Sequence, residues 1–276
     1  MAKQESKQEE LAPPAGGGIL THRSESAVAL VSQMQEDAGS GNEEVGADDL
    51  AIPYLSVVQG TSEAVKPAKE GYNPEARAGM FLNTMTGHLY LSPLRVVRCT
   101  MRPVFVERVR GKMGAFVAEH PASTPLALQV DTQYGPDGRE DLLPNGHILN
   151  KVHRHYLILV ETMESVVFSM RSSNLKESRK WNSLAGAIYL DSQTGKEVTQ
   201  AEALKSQTFL APSYASLWDL STHSVSNERG DWYAVSVRRV PGLVDDPGLY
   251  RTARRFCDLI RGGATHEVGD DLDGAA

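Results

Sequence analysis

With 276 residues, 41% hydrophobic and 23% charged, the chain has the ordinary make-up of a soluble globular protein of one large or two small domains. No run approaches the roughly 18 apolar residues that span a bilayer, and the opening "MAKQESKQEELAPPAGGG" lacks the apolar core of a secretory signal. Two cysteines, Cys99 and Cys257, are too few for a disulfide framework or a cysteine zinc site, so a reducing cytoplasm is the expected compartment.

The net charge of −7 is unevenly placed. Residues 1–49 hold three basic against ten acidic side chains, and residues 262–276 hold four acids with no Lys or Arg. That leaves 25 basic and 21 acidic residues in 50–261, a mildly basic body between two acidic tails. The first segment, rich in Gly, Glu, Gln, Ser and Ala without one aromatic residue, cannot bury enough apolar surface to offset ordering entropy, and a disordered tail is expected. Within it, Ser24 to Ala38 shows helical spacing at Val28, Val31 and Gln35.

The body then reads mostly as strand. "IPYLSVVQG" (Ile52 to Gly60) is short, apolar and closed by glycine, and "MFLNTMTGHLYL" sets a Thr86-Gly87 turn between two apolar runs, a hairpin cue. "RVVRCTMRPVFVERV" alternates β-branched residues with arginines, and Pro103 predicts an edge or a bulge. "DTQYGPDGREDLLPNG" reads as a long polar loop. "HRHYLILVE" and "SVVFSMRSS" form another apolar pair, and "DWYAVSVRRV" alternates after a turn. One helix is expected near 175–190, with Asn174 and Glu177 as a capping box and Trp181, Leu184, Ala185 and Ile188 as its buried stripe. A second is expected near 248–261, starting at Pro247, stopping at Gly262-Gly263, and facing Leu249, Phe256, Leu259 and Ile260 inward. Residues 262–276 follow as a flexible acidic tail. The predicted fold class is mainly β with appended helices (α+β): a single OB-like curled sheet or small barrel spanning 50–261.

The stretches "DLAIPYLSVVQG", "GMFLNTMTGHLYLSPLRVV", "RPVFVERV" and "SSNLKESRKW" together resemble a group of tailed-bacteriophage proteins regarded as single-stranded-DNA-binding or DNA-metabolism proteins with an OB-like core. The resemblance is close over 48–110 and looser over 150–240. It implies an OB-like fold and a role in phage DNA replication or recombination. The acidic C-terminus is similar to tails that recruit replication partners, although it ends in Gly274-Ala275-Ala276 where the bacterial pattern ends in an aromatic residue.

Candidate binding residues follow from what a single strand requires: cations along its backbone and flat rings for its bases. Arg95, Arg98, Arg102, Arg108, Arg110 and Lys112 fall within eighteen residues opposed only by Glu107. Phe81, Tyr90, Phe105 and Phe116 interleave with them, Tyr90 and Phe105 foremost. Further candidates are Tyr134 in the polar loop, Trp232 beside Tyr233 on a strand where one of the two rings must face outward, and Lys176, Arg179 and Lys180 on the first helix. Enzymatic constellations are thin. His147, His153 and His155 have Lys151 and Arg154 beside them and no ligand-spaced carboxylate, while Asp131, Asp137, Glu140 and Asp141 sit in a loop without a strand to fix them. Walker A, dinucleotide and nucleophile-elbow patterns are missing. No cofactor, metal or membrane partner is therefore expected, and the expected activity is non-enzymatic. The expected partners are single-stranded DNA and, through the C-terminal tail, replication or recombination proteins; a homo-oligomer stays open. Two other readings stand beside this one: a protein-interaction or virion-associated phage protein, and a nucleic-acid-processing enzyme.

Overall fold

The structure, a computed structural model, describes residues 51–263 except 112–113, 136–137, 205–206 and 229, with the backbone of His266–Val268 and a few positions between 30 and 40. Lys112, most of the acidic segments and most of the expected Ser24–Ala38 helix lie outside the described residues. Of the two units into which the chain divides at Val45–Gly46, the larger, Gly46–Ala276, holds every described strand.

This larger unit opens with β1 (Ala51–Pro53), β2 (Leu55–Val57), β3 (Phe81–Asn83) and β4 (Leu89–Tyr90), of which the last three form a small antiparallel sheet. The predicted hairpin turn is present. Asn83 Oδ1 accepts the Met85 and Thr86 N–H groups, the Asn83 carbonyl accepts that of Gly87, and Gly87 takes the left-handed φ of 72° that glycine tolerates.

The main sheet begins with β5 (Leu94–Arg108), β6 (Phe116–Pro121), β7 (Asp131–Gly135), β8 (Gly138–Leu142), β9 (Ile148–Leu159) and β10 (Ser165–Arg171). Helix α1 (Leu175–Ala185) follows. A second small sheet comes next, from β11 (Tyr189–Asp191), β12 (Glu197–Val198), the short α2 (Gln200–Ala203) and β13 (Thr208–Leu210). Then β14 (Leu217–Asn227) and β15 (Gly230–Arg239) return to the main sheet, before α3 (Pro247–Arg261) and β16 (His266–Val268), which pairs in parallel with β1. The main sheet runs β15-β14-β5-β9-β8-β7, with β10 also on β9 and β6 also on β5. It is open and antiparallel, so the described strands do not form the small barrel that the sequence allowed.

Strand β5 organises this sheet. It pairs with β9 along its length, while its other edge is taken by β14 at Leu94–Val97 and by β6 from Val104 onward. Pro103, which has no N–H to give a ladder, falls in the gap between those two neighbours. The register with β9 shifts between Arg98 and Thr100, a bulge at Cys99.

Both sheet faces are covered. On one, Val96, Leu157, Phe168, Met170, Trp218 and Val237 pack with Trp181 of α1. On the other, Val97, Cys99, Tyr156, Ile158 and Val167 pack with Leu249, Ala253, Phe256, Cys257 and Ile260 of α3. Helix α3 matches its sequence signals: Asp246 accepts the Gly248 and Leu249 N–H groups, Pro247 opens the helix, and Gly262 closes it.

Helix α1 departs from its signals. It stops at Ala185, Leu184 is 41% exposed, and Ile188 is buried beyond the helix. The capping box does not form. Asn174 Oδ1 instead accepts the Val235 N–H (3.3 Å) and Glu177 Oε1 accepts the Val237 N–H (2.8 Å), both on the outer edge of β15. Two residues along, the Gln59 amide accepts the Tyr233 N–H (2.8 Å) and donates to its carbonyl (3.0 Å). A bare strand edge is an invitation to further pairing, and these tertiary acceptors outcompete the local cap.

The segment expected as a long loop is largely a β-hairpin. β7 and β8 pair from Asp131↔Leu142 to Gly135↔Gly138, because Thr132 and Tyr134 give the stretch enough alternation to override its Gly and Pro content.

Candidate nucleic-acid interface

The bulge at Cys99 divides the predicted arginine track. Simple alternation would put Arg98, Arg102 and Arg108 on one face. The extra residue turns Arg98, which opposes Leu157, toward α1, and turns Arg102 and Arg108, which oppose Arg154 and Ile148, to the α3 side. Arg95 also lies on the α3 side, where its Nε donates to Asp219 at 3.0 Å on the paired strand.

Each arginine of the run is engaged. Arg98 is buried, 8% exposed, with its guanidinium carbon 5.4 Å from the centre of the Trp181 ring. Arg102 donates to the Ile260 carbonyl, closing the C-terminus of α3, and lies over Tyr156. Arg108 donates to the Gly114 carbonyl at 3.2 Å, and Arg110 pairs with Glu140 at 2.8 Å. The run is therefore a set of anchors between elements, which corrects its reading as one cationic surface.

The predicted rings are sorted in the same way. Phe81 is fully buried. Tyr90 is buried too and donates its hydroxyl to Glu164; burial first, then the Glu164 bond and charge, push its pKa up to about 12. It cannot stack on a base. Trp232 and Tyr233 are both half-buried, and Tyr233 lies against Gly79. Tyr134 is 80% exposed on β7, and Phe116 is exposed on β6. Phe105 is half-buried on β5.

Register shows what the sequence did not: Phe105 lies between Lys151 of β9 and His120 of β6, directly opposite each. Directly opposed residues share a face. On β9 the next residue of that face is His153, then His155, and both sit under α1. Lys151 is exposed, as are Lys176, Arg179 and Lys180 on α1. Lys180 is held by Glu177 at 2.8 Å, whereas no ion pair holds Lys151, Lys176 or Arg179 among the described residues. A half-exposed ring and a histidine thus share a face with unpaired Lys151, and the charges of Lys151 and of Arg179 on α1 both reach His153 on that face, with unpaired Lys176 one turn from Arg179. Lys151 and His120 were missed because only cross-strand pairing, invisible in a linear reading, sets them beside Phe105.

Beyond Phe105 the face is closed by a polar cluster. Glu107 accepts from His120 Nε2 (2.8 Å), His147 Nδ1 (2.6 Å) and Asn145 Nδ2 (3.0 Å). Bonds from His147, His120 and Asn145, in that order of weight, hold its carboxyl at about 2, well below the ordinary 4.5.

Under α1, the Ser178 hydroxyl lies 2.7 Å from His153 Nδ1 and 2.8 Å from His155 Nε2, and the His155 ring stacks on Trp181 with centroids 4.5 Å apart. Burial, and then neighbouring positive charge, lowers the pKa of both histidines. Among the described residues no group of three His, Cys, Asp or Glu side chains is placed to hold a metal ion. Asp131, Glu140 and Asp141 lie on the hairpin strands, where Glu140 holds Arg110 and Asp141 holds Arg139 and Thr132. Asp137 lies outside the described residues. No described helix is long and apolar enough to cross a membrane.

Compared with known proteins, the chain matches no curated protein and no solved structure. Residues 22–266 match the Pam3 phage gp34-like protein family, a span that takes in every strand of the main sheet and both of its covering helices. The chain therefore belongs to the Pam3 phage gp34-like family and is a bacteriophage protein.

Proposed function

We propose that this phage protein binds single-stranded DNA on the uncovered part of the sheet face beside α1, in the service of phage replication or recombination. The observation that carries the reading is the cross-strand triplet Lys151–Phe105–His120, with Lys176 and Arg179 on the adjoining helix. A stacking ring flanked by cations is what a single strand needs, and α1 leaves that ring partly open. An OB-like description of the curled sheet would rest on β5, the long bulged strand that passes from one set of neighbours to another.

The test is fluorescence anisotropy with labelled oligo-dT at two salt concentrations, with and without magnesium. Loss of a base stack in Phe105→Ala is expected to weaken binding by about 1–3 kcal/mol, roughly 5- to 150-fold. Lys151→Ala should lower the slope of log affinity against log salt by about 0.7. Wild-type silence, or two folded variants that bind like wild type, would remove this face from consideration. A second reading, docking of a protein partner, is favoured by one observation: the sheet-edge strand β13 exposes Phe209 and Leu210 next to exposed Leu204. Magnesium-dependent cleavage of the oligonucleotide would instead favour a processing enzyme.

A further inference from the structure

Arg98 is an unusual charge. Its Nε and Nη1 are sealed from solvent and have no hydrogen-bond partner among the described residues. Trp181 covers one flat side of the guanidinium, but a ring cannot accept the N–H groups that lie in the guanidinium plane. Among the described residues no negative charge is placed to act on it. The neighbours are His153 and His155, bridged by the neutral Ser178 hydroxyl, and the charges that reach His153 are those of Lys151, Arg179 and Arg98. One hydroxyl hydrogen can serve only one of the two ring nitrogens, so the other ring must donate to Ser178 Oγ. Neither ring supplies a negative charge in either arrangement. No carboxylate is among the groups that perturb Arg98, His153 or His155. Burial lowers Arg98 to about 10, which leaves it cationic at neutral pH.

The other buried arginine shows the contrast. Arg154, 3% exposed on the opposite face of β9, is paired with Glu119. A buried cation is ordinarily matched in this way. Water could take the Arg98 N–H groups but not its charge.

We propose that Arg98 forms the floor of a site for a phosphate-like oxyanion, which enters past the exposed Arg179 and Lys151. Nη2 is the one guanidinium nitrogen of Arg98 that is not among the sealed atoms, so an oxyanion meets the side chain there, and the forks that Nη2 shares with Nε and Nη1 give a bidentate contact once the anion displaces what covers them. The site does not depend on whether the open sheet face binds DNA. Its ligand is a phosphate group, supplied either as inorganic phosphate or as the terminal phosphate of a nucleic-acid strand.

Thermal unfolding of the full chain in sodium phosphate, against sodium chloride at equal ionic strength and pH, tests it directly. Saturable stabilisation is expected, with Tm raised by about 3–6 °C at phosphate ten times its Kd. Arg98→Met, a replacement of similar size without the charge, should abolish the phosphate effect, and Arg179→Ala, at an exposed position, should weaken it severalfold. Competition by oligo-dT carrying a 5′-phosphate against the 5′-hydroxyl form then distinguishes the sources: preference for the phosphorylated end identifies a strand terminus, and no preference identifies the free anion. Equal Tm in phosphate and chloride for the wild type overturns the proposal, as does a phosphate effect that survives in Arg98→Met. Should Arg98→Met fail to fold, the wild-type and Arg179→Ala titrations decide: a weaker effect in the variant supports the site, and an equal effect overturns it.

Discussion

Glu177 links helix α1 to the outer edge of the main sheet, and removing its carboxylate measures that link. Its Oε1 accepts the Val237 N–H and the Lys180 ammonium, each at 2.8 Å. In Glu177→Ala the backbone N–H of buried Val237 loses its acceptor, a loss of about 1–3 kcal/mol. The exposed Lys180 pair adds less than about 1 kcal/mol, and the better helix propensity of Ala returns a few tenths. A net loss of about 0.7–3.7 kcal/mol is therefore expected, or roughly 1.5–15 °C in Tm for a domain of this size. Glu177→Gln keeps an acceptor of the same shape and should lose less than half as much. Burial pushes the Glu177 pKa up, but the bonds from Lys180 and Val237 outweigh it and bring it below the ordinary value. Its charge therefore contributes in full above the unfolded carboxylate range and is lost as pH falls through the lowered value, so wild type and Glu177→Gln should converge in acid. Urea unfolding followed by circular dichroism gives the free energies, and amide hydrogen exchange at Val237 reports the edge itself. If Glu177→Ala stays within about 0.5 kcal/mol of wild type with Val237 exchange unchanged, or if Gln is as damaging as Ala, the link is not what holds this edge.

Two further outcomes rest on particular contacts. Because Glu107 is drawn from 4.5 to about 2, it should stabilise the fold fully above about pH 4.5 and progressively less toward pH 2. That displacement corresponds to at most about 3 kcal/mol, and urea midpoints measured across this window should flatten in Glu107→Gln. At Gly79, where φ is 92°, a Cβ would sit 2.6 Å from the Tyr233 ring, so Gly79→Ala should cost about 1–3 kcal/mol. In a double-mutant cycle part of that loss should disappear against Tyr233→Ala; strict additivity would show that backbone strain alone is responsible.

What could be read in the sequence was local. The hairpin at Asn83–Gly87 and the start and stop of α3 are specified by residues within a few positions of one another, and both formed as expected. Trp181 likewise proved to be core. Tertiary competition decided the rest. Asn174 and Glu177 have the spacing of a capping box, yet the unpaired N–H groups of β15 offered them better partners. The arginine run looked like a surface because its charges are dense along the chain. On a strand buried on both faces, the same density supplies Asp219, Ile260 and Trp181 with partners from different layers. The candidate interface was legible only in part: Phe105 was singled out, but Lys151 and His120 join it through register, and linear spacing carries no record of that.

The bulge at Cys99 also sets how β5 can change length. Each inserted or deleted residue in a doubly covered strand swaps its inward and outward sets beyond that point, so such strands tolerate length changes only in pairs. Cys99 is the exception built into this one, a single uncompensated residue that already keeps the two halves of β5 out of phase. Deleting it would only close the bulge, since Arg98 and Thr100 already oppose the consecutive residues Leu157 and Tyr156, and Arg102 and Arg108 would keep their places on the α3 side. Within the family, a one-residue gap at this position would thus keep the internal wiring of the sheet, whereas a gap of the same size elsewhere in the strand would exchange its two faces.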